Sequence, residues 1–134
     1  MALSRTETVE IRSDADVVMV RQQVRAWAVD VGFGLVDQTK IVTAASELAR
    51  NAFIYGGGGT VRLEVLNNGS RKGLRLTFQD HGPGIADIEL AMKDGYSTGT
   101  GLGLGLSGAK RLSNEFDLRS TPGEGTRVTI TRWK

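Results

Sequence analysis

The chain contains no cysteine. A disulfide framework and thiolate metal sites are therefore excluded, and a reducing compartment is compatible with the composition. No apolar run approaches the roughly 18 residues of a membrane span, and the N-terminus lacks the apolar core of a signal peptide. A bacterial-type cytoplasmic protein without a membrane partner is expected. Charge of one sign is also missing: the formal net charge is +2 and the Lys and Arg are dispersed, with no basic run of the kind that marks a nucleic-acid tail. No nucleic-acid partner is expected. A Walker lysine loop is absent, and no βαβ unit carries an acidic residue about twenty positions after a glycine fingerprint, which excludes the common dinucleotide reading.

What is present is glycine. Its count of 18 is the one compositional excess in a chain that is otherwise ordinary, with 40% apolar and 24% charged residues. The glycines gather at residues 56–59 and 82–108, where they give close-approach backbone and not a linker. A length of 134 residues fits one domain spanning residues 1–134, enough to bury about two-thirds of its unfolded surface around a single core.

Periodicity orders the chain. Residues 6–12 alternate, with Val9 and Ile11 on one face, and predict a strand. Ser13 or Asp14 suits an N-cap, after which Val17, Val20, Val24, Trp27, Ala28 and Val31 recur at helical spacing until Gly32. Asp37 is the expected cap of a second helix, with Ile41, Ala44, Ala45, Leu48 and Ala52 on its apolar face and its end near Tyr55. Strands follow at 60–66 and 73–80, joined by a hairpin turn. A short helix is expected at 86–94, a longer one from near Gly103 to Asn114, a strand over 116–120, a turn at Pro122 and Gly123, and a last strand through Val128 and Ile130. One polar face per strand implies an antiparallel sheet covered on one side by helices, an α+β two-layer sandwich.

Four short elements carry chemistry in a fixed order. In S-E-L-A-R-N-A, Glu47 and Asn51 are four residues apart and stack on one helix face. Asn51 offers an amide oxygen to a hard cation such as Mg²⁺, and Glu47 can take a proton from an attacking hydroxyl. Taken in isolation, Glu47 is more simply a surface partner of Arg50 or Lys40. In D-H-G-P-G-I, Asp80 ends a strand and can accept a hydrogen bond from the adenine amino group, while Gly82 and Gly84 let backbone approach the base. The plain reading of the same residues is a turn, and His81, the only histidine, gets no role. In G-T-G-L-G-L-G-L, glycine alternates with Thr100 and three leucines and then opens a helix, which suits backbone N–H groups cradling phosphates under a closing lid. Leu102, Leu104 and Leu106 would anchor that lid. Last, Gly125-Thr126 precedes the final strand, and its hydroxyl can reach the adenine side.

In that order the four elements resemble the N box and the three glycine boxes of the GHKL (Bergerat) ATP-binding superfamily, which includes gyrase-type ATPases, Hsp90, MutL, sensor histidine kinases and anti-sigma-factor serine kinases. The segments V-G-F-G, S-E-L-A-R-N, D-H-G-P-G-I-A-D-I, D-G-Y-S-T, G-A-K-R-L and G-E-G-T are similar to stressosome switch kinases of the RsbT type, from about residue 31 to residue 134. The resemblance implies ATP and Mg²⁺ as cofactors, Asn51 as the metal ligand and Glu47 as the catalytic base. It implies that Asp80 reads adenine and that Gly82, Gly84, Ile85, Thr100, Gly101, Leu102, Gly103, Leu104, Gly105 and Thr126 surround the nucleotide. The implied substrate is a Ser or Thr of a STAS-domain scaffold or antagonist protein, with a PP2C-type phosphatase as a partner activated afterwards. The chain departs from the pattern at His81, and it has no Lys or Arg between Gly95 and Gly108 to meet the γ-phosphate, which leaves Mg²⁺, backbone N–H groups and Lys110 to balance that charge. A different class, a nucleotide-binding regulatory module such as an anti-sigma factor with little turnover, is the alternative. Glu47 favours the enzyme, because a passive binder needs no base.

Overall fold

Alternation along five segments builds the sheet, and the computed structural model describes residues 2–85, 88–92 and 105–134 of the chain. The strands are β1 (Ala2–Ile11), β2 (Gly59–Asn67), β3 (Lys72–Asp80), β4 (Glu115–Thr121) and β5 (Gly125–Trp133). They lie in the order β1-β2-β3-β5-β4, and every neighbouring pair is antiparallel. Register follows the pattern, since a slip of one residue would turn each apolar set to the wrong face. Leu76 lies opposite Leu63 and Ile130, and Phe78 opposite Val61 and Val128, all of them buried. The other face carries rows such as Arg62, Thr77, Thr129 and Asp117. A groove of about 450 Å³ on that open face is lined by charged residues, threonines and Phe116, and contains none of the candidate site residues.

Two long helices cover the apolar face. Helix α1 (Asp14–Val31) starts at Ser13, whose hydroxyl accepts the Asp16 N–H at 3.2 Å, and stops at Gly32, left-handed at φ 99°. Val20, Val24, Trp27, Ala28 and Val31 form its buried face. Arg5 on β1 stacks over the Trp27 ring at 3.9 Å from its centroid and pairs with Asp30, which fixes α1 to the edge strand. Helix α2 (Leu35–Ile54) buries Ile41, Ala44, Ala45, Leu48 and Ala52, as its spacing predicts. A shorter helix, α4 (Gly105–Arg111), packs against α2, and one turn, α3 (Ile88–Ala91), precedes it.

Three boundaries differ from expectation. Asp37 does not cap α2, which begins two residues earlier at Leu35 after Gly34. Its carboxylate is taken instead by Arg132, whose Nη2 donates to Asp37 Oδ1 at 2.6 Å while Nη1 donates to the Leu112 carbonyl at 2.8 Å. The last helix ends at Arg111 and not at Asn114, because Asn114 Oδ1 accepts the Trp133 N–H at 2.7 Å and is held at the sheet edge. Strand β1 starts at Ala2, four residues before the sequence suggests, and carries an irregularity between Leu3 and Arg5. Of the helix expected at 86–94, the turn Ile88–Ala91 is observed, and residues 86, 87, 93 and 94 lie outside the described residues.

Candidate nucleotide site

Glu47 and Asn51 lie on the last turns of α2, both half-buried. Neither side chain makes a hydrogen bond or ion pair with any described residue, so the surface pairing of Glu47 with Arg50 or Lys40 does not form. Partial burial without a partner leaves both groups available to a ligand. The helix closes at Tyr55, whose N–H bonds the Asn51 carbonyl at 2.9 Å, and Gly56 bonds the same carbonyl at 3.2 Å.

The glycine run after α2 does more than stop it. Gly56 packs directly against Asp80, so that a Cβ there would collide with the Asp80 carboxyl group, and Gly82 lies against the Gly56 backbone. The D-H-G-P-G loop is thereby pressed onto the end of the helix that carries Asn51. Sequence reading missed Gly56. The signal was available, because one glycine ends a helix and this chain spends four.

Asp80 is the last residue of β3 and half-buried. Its Oδ1 accepts the Gly82 N–H at 2.9 Å, closing an Asx turn, and its Oδ2 has no partner among the described residues. Across the sheet Asp80 stands opposite Thr126, and Thr126 opposite Ser120, so the three share one row on the helix-covered face. Ser120 was not singled out from the sequence, although its alternation with Phe116 and Leu118 places it on that face. Its hydroxyl accepts the Ile85 N–H at 2.7 Å and lies 2.9 Å from the Thr126 hydroxyl. Gly84, at φ 76°, sits against the Thr121 carbonyl where a side chain would clash, and the Gly123 N–H bonds the Pro83 carbonyl at 2.7 Å. The loop 81–85 is thus held between the end of α2 and the β4–β5 hairpin.

Gly105 opens α4 with φ 38°, and Leu106 behind it is buried in the core. Thr100, Gly101, Leu102, Gly103 and Leu104 lie outside the described residues. Lys110 is exposed in the last turn of α4, at the end away from Gly105, and His81 is exposed. Among the described residues no three His, Cys, Asp or Glu side chains gather to cage a metal. A cation here would have to share its shell with phosphate oxygens and water, which is the habit of Mg²⁺.

Residues 36–134 match the family model of histidine kinase-, DNA gyrase B-, and HSP90-like ATPases. The chain belongs to this ATPase family. ATP is accordingly the nucleotide that the family membership implies. Within the family the chain is 48% identical over 125 residues to the serine/threonine-protein kinase RsbT of Bacillus subtilis, covering 93% of this chain and 94% of that protein. It is 30% identical over 123 residues to the anti-sigma F factor of Caldanaerobacter subterraneus subsp. tengcongensis, covering 84% and 82%. A crystal structure of the RsbU and RsbW domains of a Mycobacterium tuberculosis protein superposes with a TM-score of 0.69 at 21% identity, a likeness of fold. The superposition covers 98% of this chain and 33% of that longer one. Among the described residues no helix is long and apolar enough to cross a membrane.

Proposed function

We propose that residues 1–134 act as one protein serine/threonine kinase unit, in which Glu47 is the base and the row Asp80, Thr126 and Ser120 forms the adenine wall. One observation carries this reading: Glu47 and Asn51, half-buried and without a partner among the described residues, stand on the same helix end that the Asp80 loop is packed against. Kinship with RsbT at 48% identity supports the reaction class.

In this mechanism the Asp80 carboxylate accepts from the adenine amino group, and Gly82 and Gly84 keep side chains off the base. The phosphates fall, in this reading, to the segment from Thr100 to Gly105 that includes Leu102 and Leu104. Asn51 would hold Mg²⁺, which neutralises phosphate charge when bound; among the described residues its amide has no partner and no protein-only cage forms, which fits that ion. Glu47 accepts the proton of a Ser or Thr hydroxyl as that oxygen bonds to the γ-phosphorus, and the bond from the γ-phosphorus to the bridging oxygen breaks to release ADP. Because α4 carries its basic residues in the last turn and none at Gly105, backbone N–H groups would bear much of the transition-state charge.

The protein substrate in this reading is a STAS-domain scaffold or antagonist of a stressosome or partner-switching module, with a PP2C-type phosphatase as the partner activated after release. Transfer of labelled γ-phosphate from Mg-ATP to a STAS-domain protein encoded beside this chain tests it. Acid-stable label on Ser or Thr is the expected result. Nucleotide binding without transfer would favour the second reading, a regulatory module, which the anti-sigma F factor relatives support.

A further inference from the structure

The hydroxyl of Ser120 has more contacts than protons, and the count fixes the direction of its neighbour. A hydroxyl carries one proton and two acceptor positions. Ser120 Oγ lies 3.1 Å from the Gly125 carbonyl, 2.9 Å from Thr126 Oγ1 and 2.7 Å from the Ile85 nitrogen. A carbonyl only accepts, so Ser120 spends its proton on Gly125. The Ile85 N–H fills one acceptor position. The remaining contact then requires Thr126 to donate to Ser120.

Thr126, with its single proton committed to Ser120, turns only lone pairs elsewhere. It stands directly beside Asp80, whose Oδ2 is also an acceptor without a partner among the described residues. Two adjacent acceptors with no donor between them among the described residues suit a ligand edge that presents an amino group and disfavour one that presents a carbonyl. We propose that Ser120 is a specificity-determining positioning residue, which selects a 6-amino purine over a 6-oxo purine by holding Thr126 as an acceptor. The inference rests on the proposed placement of the nucleotide base at Asp80.

Removal of the Ser120 hydroxyl frees the Thr126 proton to rotate toward the base and meet a carbonyl. It also leaves the Ile85 N–H unpaired, which loosens the loop for every nucleotide alike. Only the ratio of affinities separates the two effects. Titration calorimetry with ATP and with ITP, its 6-oxo counterpart, reads that ratio for the wild type, Ser120→Ala, Ser120→Thr and Thr126→Val. The ATP preference of the wild type should fall about tenfold in Ser120→Ala, the worth of one hydrogen bond to the wrong partner. Ser120→Thr keeps the hydroxyl and should keep the preference. In the Thr126→Val background, Ser120→Ala should change the ratio no further. An unchanged ratio in Ser120→Ala, or an equal fall in Ser120→Thr, would overturn the role of Ser120 while ATP binding by the wild type leaves the base site standing. A wild type that binds ATP and ITP equally, or neither, would bring down the base site and this inference together.

Discussion

Substituting Gly56 by Ala tests the contact that joins the two halves of the site. Gly56 does not have a left-handed backbone, so alanine meets no left-handed strain there. The added methyl would instead overlap the Asp80 carboxyl group and come within 2.7 Å of the Ala52 carbonyl oxygen. Both neighbours must shift. Overpacking of this kind costs about 1 to 3 kcal/mol of fold stability. Displacing Asp80 from its Gly82 hydrogen bond should weaken ATP binding by a similar amount, about 1 to 3 kcal/mol. Gly57→Ala supplies the control, since Gly57 has φ 74° and open space around its Cα. It should lose about 1 to 2 kcal/mol of stability from left-handed strain and leave ATP affinity unchanged. Thermal melting and calorimetric titration of both variants measure the two quantities separately. Equal ATP affinity in Gly56→Ala and the wild type would refute the packing of the Asp80 loop on α2 as the basis of the site.

Glu47→Gln should keep ATP affinity within a few-fold and slow phosphoryl transfer by about 10² or more, the usual worth of a general base, in a labelled-phosphate assay. A wild-type rate would take Glu47 out of the chemistry. For Asp80→Asn, whose amide can turn a donor toward the adenine amino group, calorimetry should record a loss of about 1 to 3 kcal/mol in ATP binding, and no loss would remove Asp80 from the adenine wall. Arg132→Met should lower stability in denaturant melts by about 2 kcal/mol, because it strips the partner from the Leu112 carbonyl as well as from Asp37. Asp37→Asn should cost under about 1 kcal/mol, since Asp37 is 42% exposed and its ion pair is screened. Equal losses in those two variants would assign the clamp to the ion pair alone.

Local patterns determined most of the elements. The five strands and two long helices were legible because their apolar residues recur at spacings of two or near four, and those spacings persist whatever the elements pack against. The elements of the candidate site stand out in the sequence for a related reason: each is a short run of glycines and one or two polar residues whose chemistry is written in consecutive positions. Kinship with the ATPase family was carried by the same runs.

Contacts between distant segments were not legible, because nothing in a linear pattern records which side chain a folded neighbour will recruit. Asp37 reads as a helix cap, yet Arg132, 95 positions away, takes its carboxylate. Glu47 taken in isolation reads as a surface partner of Arg50 or Lys40, and the fold leaves it half-buried at the helix end without a partner among the described residues. Gly56 reads as a helix stop, and only the tertiary structure brings Asp80 against it. Ser120 reads as one strand residue among several until antiparallel register sets it two strands from Asp80, in the row with Thr126. The sequence determined which groups the chain offers to the candidate site. Sheet register and the docking of a loop on a helix end, both set by long-range packing, decided which of those groups meet.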